Sequence, residues 1–217
     1  MFKDGFGNAV KFLLVIALMV FCASCNQSEG GSGNETITEK IQNAPAVGFS
    51  HCVVSNSKFE SKLLGIGAEL DSDWRFANDE ELATANGLDE ISDKSLEEAL
   101  ETKTFICDMI AEKEFEGGAN SITLTFPNTG SSGSADMSER EYAESTMIGI
   151  NNATAVIETI RLGRDDHVSI RLVGKTSGTD YYQRMIFVKK NGYLGMITLT
   201  CISEDDIYDI ISRFYAL

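Results

Sequence analysis

The stretch Asp180-Tyr181-Tyr182-Gln183-Arg184-Met185-Ile186-Phe187-Val188-Lys189-Lys190-Asn191-Gly192-Tyr193-Leu194-Gly195-Met196-Ile197-Thr198-Leu199-Thr200-Cys201-Ile202 decides the fold. Asn191-Gly192 accepts positive φ at both central positions of a type I′ turn, and apolar runs flank it, so the stretch specifies a β-hairpin. A two-residue turn sets Ile186 opposite Ile197, Arg184 opposite Leu199 and Phe187 opposite Met196. With a side-chain period of two, Ile186, Val188, Ile197, Leu199 and Cys201 share one face. Met185, Phe187, Leu194 and Met196 share the other. Both faces are apolar near the turn, so both need cover, unlike a hairpin with one solvated side.

A helix follows the hairpin. Ser203-Glu204-Asp205-Asp206 resembles a capping box, with Ile202 and Ile207 placed as a hydrophobic staple. Ile207, Ile210, Ile211 and Phe214 then fall at helical spacing. Three earlier helices open on similar signals. Asn78 with Glu81 starts one that stops near Gly87, and Ser92, with Ile91 and Leu96, starts a second. Ser138 with Glu141, and Met137 facing Tyr142, starts a third. Its stripe Ala143, Met147, Ile150, Ile157 continues past Gly149 and Asn151-Asn152, where a break or kink is expected. Further strands are expected over Cys52–Ser55, Leu63–Leu70, Thr104–Glu112, Ser121–Phe126 and His167–Val173. In Thr104–Glu112, Phe105, Cys107, Met109 and Ala111 alternate with Ile106, Asp108, Ile110 and Glu112, which is strand period. Helices interleaved with hairpins give the α+β class, with a largely antiparallel sheet and helices on both faces. Residues 45–217 are long enough for one core, and Thr129-Gly130-Ser131-Ser132-Gly133-Ser134 reads as a surface loop inside it.

The whole chain has 217 residues, 43% hydrophobic and 24% charged, with 2 prolines, which excludes global disorder and a collagen-like fibre. Lysines and arginines number 18 against 33 acids, a formal net charge of −15 that repels phosphate backbones and argues against nucleic-acid binding. Five cysteines are too few for a disulfide-built miniprotein.

The N-terminus gives an address. Lys3 and Lys11 precede Phe12-Leu13-Leu14-Val15-Ile16-Ala17-Leu18-Met19-Val20-Phe21, and the small residues Ala23 and Ser24 lead to Cys25. That is the basic, apolar, small-residue order of a secretion signal. The alternative is an uncleaved anchor, but Phe12 to Ser24 makes only about 20 Å of helix against a hydrocarbon core of about 30 Å. Cys22-Ala23-Ser24-Cys25 resembles the lipobox of bacterial lipoproteins, although Cys22 stands where that family prefers Leu. The resemblance implies lipidation of the Cys25 thiol, cleavage just before it, and a lipid-anchored protein on the extracytoplasmic face of the cell membrane. Cleavage after an A-x-A-like site by an ordinary signal peptidase is the rival. Two or three acyl chains, at about 0.8 kcal/mol per buried methylene, hold a protein on a membrane durably. Removing residues 1–24, with Lys3, Lys11 and Asp4, leaves the mature chain one charge more negative, so the lipid and not the surface must supply the attachment. Residues 25–44, polar and Gly-rich at Gly30-Gly31-Ser32-Gly33, read as a flexible tether with an rms span on the order of 24 Å.

With that leader, Leu63-Leu64-Gly65-Ile66-Gly67 running to Asp71-Ser72-Asp73-Trp74, the hairpin strand Tyr193-Leu194-Gly195-Met196-Ile197-Thr198 and the closing Ser203–Phe214 helix, the chain resembles small bacterial lipoproteins with a PsbP/DcrB-like α/β/α sandwich. The resemblance covers most of residues 48–217. It implies an accessory or binding module without a shared catalytic set, and no catalytic residue is carried over from it.

The residues specify no catalytic set, cofactor or metal. Gly174-Lys175-Thr176 resembles the end of a phosphate loop, but Ser169 stands where a glycine is required. Ser55-Asn56-Ser57-Lys58 fits S-x-x-K without its companion elements, and Gly48-Phe49-Ser50-His51-Cys52 lacks the closing glycine of a nucleophile elbow. Asp165-Asp166-His167 could serve a metal-assisted hydrolase only if a loop made them converge, since neighbours in a strand alternate in direction. They read better as a solvated turn before a strand. His51 and Cys52 read as strand neighbours, not as a base and its nucleophile. Cys52, Cys107 and Cys201 sit among apolar strand residues and are expected as buried free thiols, one disulfide with an odd thiol being the alternative. Trp74, Tyr181 and Tyr182 are expected to close the core, with a ligand patch as the alternative. The sequence therefore supports an envelope-attached binding or accessory module, with a membrane partner through Cys25 and an envelope protein or small ligand as its object. A metal-assisted hydrolase and a structural spacer are the rivals.

Overall fold

The computed structural model describes residues 47–116, 118–128, 136–151, 153–176 and 178–217. The leader, Cys25, the tether and the Thr129–Ser134 loop lie outside them. The elements run β1 (Val53–Ser55), β2 (Lys58–Ser61), β3 (Ile66–Glu69), β4 (Arg75–Phe76), α1 (Asp79–Asn86), α2 (Asp93–Thr102), β5 (Phe105–Phe115) and β6 (Gly118–Pro127). Then come α3 (Glu139–Ile148), β7 (Thr154–Leu162), β8 (Asp165–Thr176), β9 (Thr179–Lys190), β10 (Tyr193–Cys201), α4 (Glu204–Ser212) and β11 (Phe214–Ala216). The class is α+β, with antiparallel pairing throughout the two sheets. A seven-stranded sheet has the order β4-β5-β6-β10-β9-β8-β7, and a four-stranded sheet the order β1-β2-β3-β11.

The hairpin forms in the expected register: Ile186 opposes Ile197, Arg184 opposes Leu199 and Phe187 opposes Met196. Asn191 and Gly192 take φ of 55° and 84°, the positive pair that a type I′ turn requires. Its two faces feed different cores. Ile186, Val188, Ile197, Leu199 and Cys201 join the large cluster with Ile106, Met109, Ile122, Leu124 and Phe126, together with Phe59 and Ala68 of the small sheet. Leu96 and Ala99 of α2 and Ile207 and Ile210 of α4 belong to the same cluster. Met185, Phe187, Leu194 and Met196 pack instead with Ile170, Leu172 and Ala143 of α3. Leu82 of α1 packs with Cys107 and Ile110 in a third cluster.

The helix starts follow their caps. Asn78–Glu81 and Ser138–Glu141 form reciprocal capping boxes, and Ser92 makes one with Ser95. Ser203 Oγ accepts from the Asp206 N–H, which is half of the expected box. Gly87, at φ 61°, ends α1 where the sequence places the stop.

Four expectations are corrected. The third helix ends at Ile148 with Gly149 as its cap, and Ile157 lies in strand β7, whose run of Thr, Val and Ile favours extended backbone. Phe214 belongs to β11 and not to the last helix, pairing with Ala68 across the small sheet. The Leu63–Leu70 strand is confined to Ile66–Glu69, because Gly65 at φ 70° turns the chain before it. The alternation along β5 is broken by a register shift between Cys107 and Met109, a β-bulge at Asp108. Cys107 therefore shares the third cluster with Ile110, while Met109 packs in the large one.

Candidate functional site

Residues singled out from the sequence are mostly kept apart. Asp165, Asp166 and His167 open β8, opposite Leu162, Arg161 and Ile160. Asp166 sits within ion-pair reach of Arg161, and His167 Nδ1 lies 3.1 Å from Glu139 Oε1. Glu139 fills the fork where β8 and β9 part. Its Oε2 accepts from the Val168 N–H at 3.2 Å and its Oε1 from the Lys189 N–H at 2.9 Å. Burial opposes its charge, but the His167 ring and these two N–H groups together hold the carboxyl below the ordinary glutamate range. Among the described residues, no group of three or more His, Cys, Asp and Glu side chains is placed to hold a metal ion.

Lys175 pairs with Asp180 at a strand end, not at a phosphate loop. Ser55-Asn56-Ser57-Lys58 is the β1–β2 turn, with Asn56 at φ 53° and Lys58 paired to Glu69. Trp74 is 8% exposed in the large core, and Tyr182 and Tyr181 pack on different clusters. Cys52, Cys107 and Cys201 are free and buried, and burial pushes each thiol above its ordinary value, Cys107 to about 12. Thiols held in that form are poor nucleophiles. A shallow cavity of about 340 Å³ lies beside α2, lined by Leu88, Glu98, Ala99, Thr102 and Lys103.

His51 has a partner the sequence did not reveal. The bulge turns Asp108, 0% exposed, toward the entry segment, where its Oδ1 lies 2.6 Å from His51 Nδ1 and its Oδ2 accepts from the Cys52 N–H at 3.1 Å. Asn86 of α1 takes up the freed backbone of the bulge, donating to Cys107 O and accepting from the Cys107 N–H, both at 2.7 Å. Asp93 Oδ1 accepts from the His51 N–H at 2.6 Å and Glu97 Oε1 from the Phe49 N–H at 3.1 Å. Three carboxylates thus hold residues 49–52 in place. Burial works against a charged His51, yet the Asp108 carboxylate outweighs it and raises the imidazole pKa. Burial likewise raises Asp108, against the pull of His51.

A row of buried polar side chains lies on the side of the large sheet that carries the α1 and α3 clusters. There α1 rests on β5, and α3 on β7, β8 and β9. The two central strands between them, β6 and β10, present hydroxyls. Glu112, Ser121, Thr200 and Gln183 stand in one row across β5, β6, β10 and β9. Ile110, Thr123, Thr198 and Met185 form the next row, and Cys107, Thr125, Met196 and Phe187 the one after. The opposite side of the same strands is apolar, with Ile122, Leu124, Phe126, Ile197 and Leu199 in the large core. A strip of five Ser and Thr side chains therefore separates two apolar clusters. Gln183 Nε2 donates to Thr200 Oγ1 at 3.0 Å, and Thr125 Oγ1 donates to Met196 O at 3.4 Å. Among the described residues, Gln183 Oε1 and Glu112 Oε2 have no hydrogen-bond partner, although the two residues are only 2% and 4% exposed. Nothing in local sequence announces this strip, because it exists only through the register of four strands.

No protein family model matches the sequence, and no curated protein matches it. Among solved structures, the chain is similar to one from Bacteroides thetaiotaomicron VPI-5482, with 12% identity, a TM-score of 0.39 and coverage of 76% of this chain and 49% of that one. The chain thus spans about half the length of that protein. It is also similar to PA94 of Pseudomonas aeruginosa, a protein of unknown function, with 16% identity, a TM-score of 0.33 and coverage of 46% and 71%. A third is LpqN, involved in cell envelope biogenesis of Mycobacterium tuberculosis, with 12% identity, a TM-score of 0.39 and coverage of 84% and 93%. Overlaps of this size transfer no function to the chain.

Proposed function

We propose that the protein is a lipoprotein held on the extracytoplasmic face of the cell membrane, with residues 1–24 removed, lipid on Cys25 and residues 25–44 as tether. Its domain, residues 45–217, is read as a PsbP-like α/β/α sandwich that serves as a binding or accessory module of the envelope. One observation supports the binding role: the buried strip of Ser and Thr hydroxyls between α1 and α3, ended by two acceptors that have no donor among the described residues. An unmet buried acceptor costs about 1–3 kcal/mol, a burden that a plain spacer has no reason to keep and that a ligand with donor groups relieves. The hydrolase reading loses support because His167 engages Glu139 and Asp166 engages Arg161.

Backbone hydrogen exchange tests this reading. The full chain is mixed with solubilised envelope fractions, and slowed exchange of the β6 and β10 amides is the expected response. Exchange unchanged there with every fraction, or protection confined to other elements, counts against the strip as the binding surface. No described helix is long and apolar enough to cross a membrane.

A further inference from the structure

We infer that two copies of the chain join through the outer edge of β7, strand against strand across a twofold axis. Among the described residues, every other sheet edge is short: β4 has two residues, and β1 and β11 have three each. β7 has nine, Thr154-Ala155-Val156-Ile157-Glu158-Thr159-Ile160-Arg161-Leu162, paired to β8 along its whole length without a register shift. Long edges are ordinarily blunted by proline, lysine, a bulge or a covering strand. β7 has no proline, no lysine and no bulge, and no described strand pairs with its outer side.

Glu139 reveals which backbone groups face outward. The Val168 and Lys189 N–H groups both donate to its carboxylate in the fork between β8 and β9, so the Val168 N–H points toward β9. Neighbours along a strand alternate, so Ser169 points toward β7 and bonds with Glu158 opposite it. Ser169 Oγ also donates to the Glu158 carbonyl, which therefore faces β8. Thr159, opposite Val168, turns its N–H and C=O outward, and by the same alternation so do Ala155, Ile157 and Arg161. Among the described residues, no backbone hydrogen bond meets these outward groups. Val156 is 50% exposed, and Thr154, Thr159 and Arg161 are exposed with it, so a partner strand has free access.

A second copy suits this edge. The chain as a whole repels itself at a net charge of −15, but Glu158 is paired with Arg184 and Arg161 with Asp166, so the edge presents no unanswered charge. An axis at Glu158 would set two carboxylates face to face, which is unfavourable. An axis at Ile157 would set each Glu158 against a Val156. With the axis at Val156, the two exposed valines meet as a close pair, about 4.5 Å between Cα atoms. Each Glu158 then faces a Thr154 hydroxyl, and Ala155 exchanges both backbone bonds with Ile157 of the other copy. That register leaves no like charges opposed and covers the exposed apolar side chain. A single strand edge makes a small interface, so the dissociation constant is expected on the order of 100 μM.

The test uses the full chain in a zwitterionic detergent, with micelles in excess over protein. Sedimentation velocity follows its mass, and NMR amide exchange its edge, between about 20 μM and about 500 μM. A shift from monomer to dimer is expected. The Ala155, Ile157 and Thr159 amides should slow with concentration, while the Val156 and Glu158 amides, already bonded to β8, should not change. Thr159→Pro deletes an outward N–H and no ladder bond, so it is expected to abolish the dimer and leave the fold intact. Val156→Lys keeps every backbone group and is expected to weaken the dimer about tenfold. A monomer at every concentration overturns the inference. Fast outward amides in that monomer would mean an edge open to another protein, and slow ones an edge covered by the same chain. A dimer that both variants leave unchanged, or that forms without slowing the outward amides, overturns it as well.

Discussion

His51 Nδ1 lies 2.6 Å from Asp108 Oδ1 at the one place where β5 steps out of register with β6. The bulge and the pair depend on each other. Without the register shift, Asp108 would continue the plain alternation of β5, and without Asp108 the entry segment would lose the acceptor of its Cys52 N–H. Asp108→Ala strands both donors beside the buried core. A loss of about 3 kcal/mol of stability is expected, read from urea unfolding of the full chain.

The same pair sets a pH dependence. His51 faces Asp108, Asp93 and Asp79, and its folded pKa is raised. The folded state thus holds the His51 proton more tightly than the unfolded state, where the value is about 6.5. Stability from His51 is complete below that pH and is lost as pH rises through the folded value. Asp108, also raised, acts with the same sign at its own range. In thermal melts, the advantage of the parent over His51→Gln is expected to be largest at mildly acid pH and to shrink toward pH 9.

Glu139 acts with the opposite sign. Its folded pKa is lowered, so its contribution is present above the ordinary glutamate value of about 4.3 and disappears as pH falls through the folded one. Comparison of the parent with Glu139→Gln is expected to show a gap in melting temperature at pH 7 that closes near pH 3. A gap that stays constant would mean that the N–H bonds to β8 and β9 do not need the charge.

Arg184 is 1% exposed and leans on Glu158, Ser169 Oγ and the Tyr208 ring, with its Nε unpartnered among the described residues. Glu158 is 38% exposed, so the loss from Glu158→Ala is expected to be about 1–2 kcal/mol, below that of a fully buried pair. Adding Arg184→Met should return most of that loss, because it removes the stranded guanidinium; a double-mutant cycle in urea measures both.

Glu112→Leu removes a carboxyl that burial makes costly to ionise and that leaves Oε2 unmet. The free protein is expected to gain about 1 kcal/mol while the strip loses one of its end acceptors. Calorimetric melts read the gain.

Much of the fold was legible. The Asn191-Gly192 turn fixed the register of β9 and β10 because a two-residue loop leaves no slack, and the period of two then assigned every side chain of the hairpin to its face. Asn78, Ser92 and Ser138 marked their helices because capping is a contact between residues three apart. The bulge was hidden, since Phe105 to Glu112 alternates without a flaw and only pairing with β6 shows the shift. Ile157 misled because it continues a helical stripe by chance, while the β-branched residues around it favour strand. The strip was invisible for a further reason: Glu112 and Gln183 are 71 residues apart in sequence and meet in one row only after four strands are in register.

Intact mass of the protein taken from the membranes of its own cells tests the central claim, that a lipid on Cys25 holds this acidic domain outside the cytoplasm. The expected species starts at Cys25 and carries a diacylglyceryl group, with or without a third acyl chain. A species with a free Cys25 thiol, or one that still contains Met1, would contradict the account.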